Sequence, residues 1–110
     1  MFAFKSVVIA NAATVSSAIE LARDERPVMI ETPAALTGTA ITFQGSIDGT
    51  TYVPVYEVGG ANAYSVTAGT SRAVALDHRV FAGINYLKLV SGSTEAAERT
   101  IKVVLRPVAL

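Results

Sequence analysis

Apolar and polar residues alternate with a period of two along much of this chain, and the clearest run is Ile41-Thr-Phe-Gln44. In an extended strand Ile41 and Phe43 fall on one face and Thr42 and Gln44 on the other, as expected where one face meets a core and the other meets water. Ser46-Ile-Asp48-Gly49 follows with turn chemistry. The Asp carboxylate can accept from nearby backbone amides, and Gly takes positive φ without a Cβ clash. Tyr52, Val53, Val55 and Tyr56 then resume in residues that suit a pleated surface, so residues 39–56 predict a β-hairpin.

The same pattern recurs on both sides. Lys5 to Ala10 predicts a first strand, with Ser6-Val7-Val8-Ile9 suited to an edge or an oligomer contact. Val15 to Leu21 predicts a strand whose core side is Val15, Ser17, Ile19 and Leu21, in competition with a helix through residues 17–23. Asp24-Glu25-Arg26 reads as a charged turn. Pro27 to Pro33 reads as a strand bounded by prolines, which cannot donate to a ladder. Val58-Gly-Gly-Ala-Asn62 is turn chemistry, and short strands follow at Tyr64–Thr67 and Ser71–Leu76. Asp77 reads as the N-cap of one helical or 3₁₀ turn closed by Gly83, with Val80 and Phe81 pinning it to the core. Ile84 to Val90 sets Leu87 and Leu89 against Tyr86, Lys88 and Val90. Arg99 to Val108 sets Ile101, Val103 and Leu105 inward.

Strands at intervals of about 8–12 residues, with no long amphipathic helix, predict an all-β protein. The expected architecture is an antiparallel two-sheet β-sandwich of about eight short strands, with jelly-roll connections as one arrangement and a single helical turn near residues 77–83. The expected division is an N-terminal strand or arm over residues 1–13 and a sandwich domain over residues 14–110.

Composition narrows the function classes. The chain has 110 residues, enough for one cored domain. It is 51% hydrophobic and only 16% charged, so much of its surface falls to small neutral residues that suit a subunit interface. Nine basic and nine acidic residues leave no net charge, which argues against nucleic-acid binding and gives little protection against self-association. With no cysteine, disulfides and thiolate metal sites are excluded. Lys5 followed by Val7-Val8-Ile9-Ala10 has some features of a secretory leader, but Asn11 breaks the apolar run, and a first strand is the better reading. No run approaches the roughly 20 apolar residues of a membrane span.

Candidate chemistry is sparse. His78 is the only histidine, so a zinc site would have to be completed by carboxylates alone. It neighbours Asp77, but adjacent residues rarely face each other and no Gly-x-Ser-x-Gly elbow is present, so a solvent-facing turn residue is the simpler account. Asp48-Gly49 lacks the ligand spacing of a calcium loop. The glycines form no phosphate-binding motif. Tyr52, Tyr56, Tyr64 and Tyr86 could present a stacking platform for sugars; the alternative is strand residues with buried rings and hydroxyls at the rim. No catalytic residue, cofactor or metal is expected.

Several segments together carry a family resemblance: Ile41-Thr-Phe-Gln-Gly-Ser-Ile-Asp-Gly-Thr-Thr-Tyr-Val-Pro-Val-Tyr56, Ser71-Arg-Ala-Val-Ala-Leu-Asp77, Phe81-Ala-Gly-Ile-Asn-Tyr-Leu-Lys-Leu-Val-Ser-Gly92 and Ala97-Glu-Arg-Thr-Ile-Lys-Val-Val104. From about Ala18 onward the chain resembles small β-sandwich virion structural proteins of tailed bacteriophages and prophages. The resemblance implies a virion component without catalytic residues, and within that class a capsid decoration (cement) protein. Such a protein would sit on the capsid surface, bind the major capsid protein and assemble as a homo-oligomer, a trimer being favoured. The segment Met1 to Asn11 is then the candidate arm for strand addition to a neighbour, with Phe2, Phe4, Val7, Val8 and Ile9 as partner-binding residues. The main alternatives are a carbohydrate-binding module and a tail, neck or baseplate β-sandwich; a small hydrolase has little support.

Overall fold

Residues 3–108 are the residues described in the computed structural model. Their strands are β1 (Ala3–Ile9), β2 (Ile19–Glu20), β3 (Glu25–Glu31), β4 (Ala40–Ser46), β5 (Val53–Pro54), β6 (Ser65–Thr67), β7 (Ala73–Ala75), β8 (Tyr86–Ser91) and β9 (Arg99–Pro107), with a 3₁₀ turn at His78–Phe81. Every strand pair is antiparallel. A first sheet runs β1-β9-β3-β7, and a second runs β2-β8-β4-β5 with β6 also on β4. Here β5 takes the C-terminal half of the β4 edge and β6 the N-terminal half. Counted as one interrupted strand, they complete the strand order of a jelly roll, one of the arrangements open to the expected two-sheet sandwich.

The alternation in β4, β8 and β9 places Ile41, Phe43, Leu87, Leu89, Ile101, Val103 and Leu105 in the core between the sheets. Val7, Ile9 and Ile30 join them from the first sheet. Burial of each such side chain is worth about 1.5–3 kcal/mol, which is why the period-two pattern is decisive for the register. Phe81 of the 3₁₀ turn plugs one end of the core, edge-on to Phe43 at 5.2 Å and to Tyr64 at 5.8 Å. The Tyr64 hydroxyl reaches the rim and accepts the Asp77 amide at 2.8 Å. Asp77 caps the turn by accepting the Arg79 amide at 3.1 Å. The expected closure by Gly83 is not needed, because the turn ends at Ala82 with ordinary right-handed dihedrals.

Two strands depart from the expected pattern. Residues 15–21 run along β8 as an interrupted edge: Val15 bridges Val90, whereas Ile19 opposes Leu87. One extra residue lies on the edge between those pairs, so the side-chain alternation flips there. Val15 faces solvent, Ser16 is buried, and only Ile19 and Leu21 keep the predicted core side. In the first sheet, β3 begins at Glu25 rather than Pro27, because long β9 continues to pair with it through Arg26↔Arg106 and Glu25↔Pro107. The register then shifts between Pro27 and Met29, a bulge beside the residue that has no amide to donate.

Candidate interaction surface

Antiparallel pairing fixes which N-terminal residues can reach a partner. All seven residues of β1 pair with β9. The odd-numbered Val7 and Ile9 point inward and are fully buried, so their side chains are unavailable to another molecule. Val8 is half-buried, Phe4 is 57% exposed, and Phe2 lies outside the described residues. On the edge away from β9, Val8 is already engaged: its amide donates to Ser17 Oγ at 3.0 Å and its carbonyl accepts the Ser17 amide at 2.9 Å. Backbone groups alternate in direction along an antiparallel strand, so Ser6 and Phe4 also aim theirs away from β9. The open edge of β1 is therefore confined to Phe4 and Ser6 in the described residues.

The outward face of the first sheet carries an apolar row. Phe4, Val104, Met29 and Ala75 stand side by side, one from each strand, in direct register. The next row one way is polar, Lys102 and Glu31 at 3.7 Å, and Lys102 Nζ also lies 5.7 Å from the Phe4 ring. The next row the other way is the cross-strand pair Arg26 and Arg106. The outward face of the second sheet is mixed: Gln44 stands beside Lys88, and a second row runs Ser65, Thr42, Val90 and Val15.

The four tyrosines do not form one surface. Tyr64 belongs to the aromatic plug. Tyr52 carries Lys88 Nζ on its ring at 4.2 Å, and Tyr86 packs against Gly49. The Glu20 carboxylate beside Tyr86 raises the phenol pKa, by its charge first and by a hydrogen bond second. Tyr56 is half-exposed at the base of the 57–62 hairpin, whose tip bends through Gly59 (φ 95°) and Gly60 (φ 76°). Near the 46–51 turn an apolar concavity of about 300 Å³ is walled by Ile47, Val53 and Ile84. Asp48 there is a turn residue as predicted: its Oδ1 accepts the Thr50 and Thr51 amides at 2.8 and 2.9 Å, and these bonds lower its pKa.

His78 sits half-buried in the 3₁₀ turn, and no group of three metal-ligating side chains occurs among the described residues. The ionisable residue that matters most to the architecture is Glu95, which its loop sequence did not single out. It is 1% exposed and accepts from Thr37 N (2.8 Å), Gly38 N (2.9 Å), Ser91 Oγ (2.6 Å) and Arg99 Nε (2.9 Å). Burial pushes this carboxyl up, but the Ser91 hydroxyl, the two amides and Arg99 outweigh it and hold the pKa at about 2. Its backbone bonds Ala12 and Ala13 as well, so one residue ties together three loops at one end of the sandwich.

No family model and no curated protein matches the chain. Solved structures do. The SPBc2 prophage-derived protein YomS superposes with a TM-score of 0.54 at 14% identity, over 96% of each chain. The two share a fold. Weaker likenesses are to CBM32-1 from a family 31 glycoside hydrolase of Clostridium perfringens (TM-score 0.40, 12% identity, 88% of this chain and 72% of that one) and to Bacillus endospore appendages that form disulfide-linked pili (TM-score 0.35, 12% identity, 99% and 90%).

Proposed function

We propose that this protein is a structural component of a tailed-phage virion, a decoration subunit that binds the major capsid protein on the capsid surface and assembles there as an oligomer, with a trimer favoured. The observation that carries this reading is the apolar row Phe4, Val104, Met29 and Ala75 on the outward face of the first sheet, beside an open strand edge at Phe4 and Ser6. Four apolar side chains in register, with Phe4 57% exposed at one end, form a contiguous stripe of the kind a protein partner covers. The fold shared with a prophage-derived protein supports the same class. The test is co-sedimentation of the full chain with capsids of the phage that encodes it. Wild type should pellet with capsids and Met29→Asp should stay in the supernatant while folded. Wild type remaining in the supernatant would overturn the reading.

A glycan-binding module is the second reading, favoured by half-exposed Tyr56 on the projecting hairpin. Covered ring faces at Tyr52 and Tyr86 and the packing of half-buried Tyr64 against Phe43 and Phe81 count against a four-tyrosine platform. Binding to a glycan panel that Tyr56→Ala abolishes would favour it over the capsid reading.

A further inference from the structure

The first sheet ends in an open strand edge on each side. At β1 the open window is Phe4 and Ser6, because Val8 is already bonded to Ser17. At β7 it is Ala73 and Ala75. Their neighbours face β3: the Arg72 carbonyl accepts the Thr32 amide at 2.8 Å, and the Leu76 amide donates to the Val28 carbonyl at 3.0 Å. Alternation then turns the backbone groups of Ala73 and Ala75 away from the sheet, where they meet no backbone partner among the described residues. The window is bounded by the Ser71 amide, which donates to Pro33, and by the Asp77 amide, which donates to Tyr64. All four window residues are exposed. An open edge is a template for another strand, and β7 carries no proline, charge or bulge across Ala73–Ala75 to discourage one.

The two windows fit each other. Strand direction alternates from β1 to β7, so β1 of a second copy, entering beside β7 in the same orientation, runs antiparallel to it. One register sets Phe4 of that copy opposite Ala75 and its Ser6 opposite Ala73, each pair exchanging two backbone hydrogen bonds. The side-chain rows then continue across the contact. The apolar row Phe4, Val104, Met29 and Ala75 runs on into the next Phe4, and the row Ser6, Lys102, Glu31 and Ala73 into the next Ser6. Pairing of β1 with β1 about a two-fold axis would instead set Phe4 against Ser6, break both rows and leave β7 open. Lys5, between the window residues, does not stand in the way: its ammonium is drawn to the Glu20 carbonyl of the other sheet.

We propose that copies of this chain assemble head to tail, β1 of one adding to β7 of the next through Phe4–Ala75 and Ser6–Ala73, so that the first sheet continues from subunit to subunit. Contacts of this kind close into rings when their rotation allows. The proposal rests on the oligomer of the reading above and names its contact. The natural chain has no cysteine, so engineered ones report the contact alone. Within one copy, positions 6 and 73 lie three strand spacings apart, about 14 Å, too far for a disulfide. Opposed residues of paired strands, about 5.5 Å apart, are within reach. Ser6→Cys and Ala73→Cys chains, mixed equally and oxidised in concentrated solution, should form the 6–73 disulfide at least tenfold over 6–6 and 73–73. Ser6→Cys with Ala75→Cys, one row out of register, should link at least tenfold more slowly. Ala75→Pro removes an amide that β3 does not use, so it should stay folded by circular dichroism and lose the oligomer in sedimentation equilibrium. Disulfides in the proportions of random collision, dominant 6–6 links, or an oligomer unchanged by Ala75→Pro would each overturn the proposal. If capsid co-sedimentation succeeds while linking is random, only the head-to-tail contact falls. If the 6–73 link forms while wild type stays in the supernatant, the capsid reading falls and the contact stands.

Discussion

The Glu95 carboxylate accepts the Gly38 amide at 2.9 Å across 57 residues of sequence, and Ser91, bound to the same carboxylate, leaves no room for a side chain at position 38. A Cβ there would lie 2.1 Å from Ser91 Oγ, the hydroxyl that donates to the same carboxylate. Glycine is required at that position by packing, since its dihedrals are ordinary.

Replacing Gly38 by Ala should therefore destabilise the fold by displacing Ser91 from Glu95, at a cost of about 1–3 kcal/mol for a buried hydrogen bond broken on one side. Chemical denaturation of Gly38→Ala, Ser91→Ala and the double variant measures the coupling. The double variant should cost less than the sum of the two single changes, because Ser91→Ala removes the atom that the new methyl would strike.

Acid should release the same loops. The folded pKa of Glu95 is lowered from 4.5 to about 2, so its stabilisation is complete above pH 4.5 and is lost as pH falls through the range toward 2. A difference of that size corresponds to about 3 kcal/mol. Stability profiles of wild type and Glu95→Gln should diverge most above pH 5 and converge toward pH 2. Parallel profiles would show that Glu95 titrates normally in the folded state.

Gly49 combines two constraints. Its φ is 79°, and a Cβ would lie 3.0 Å from two atoms of the Tyr86 ring. Gly49→Ala should cost about 1–2 kcal/mol from the left-handed backbone alone, with crowding of Tyr86 in addition. Thermal melts of Gly49→Ala in wild-type and Tyr86→Ala backgrounds separate the two, since the second background relieves only the crowding.

The two faces of β1 should answer differently to the same charge. Val7→Asp buries a carboxylate among Ile and Leu side chains and should prevent folding. Phe4→Asp, on the exposed face, should stay within about 0.5 kcal/mol of wild type in urea. Light scattering should nevertheless show it less self-associated. Equal instability of both variants would contradict the alternation on which the exposed row depends.

The hydrophobic pattern by itself determined an all-β sandwich, the inward faces of β4, β8 and β9, the Asp48-Gly49 turn and the turn capped by Asp77. These are local properties: a two-residue period, a side chain that bonds the next amides, a glycine free to take positive φ. The N-terminal strand was legible too, but not that Val7 and Ile9 lie inside while Phe4 lies outside, because an apolar run without alternation does not declare its faces. Tertiary structure alone decided the rest. The flip between Val15 and Ile19 arises from an extra residue measured against β8, which no local pattern records. The row Phe4, Val104, Met29 and Ala75 exists only through the register of four strands. Glu95 carries no signal in the sequence, because the amides that bind it come from residues 57 and 58 positions away. A carboxylate's role depends on what surrounds it in space, and sequence order does not carry that information.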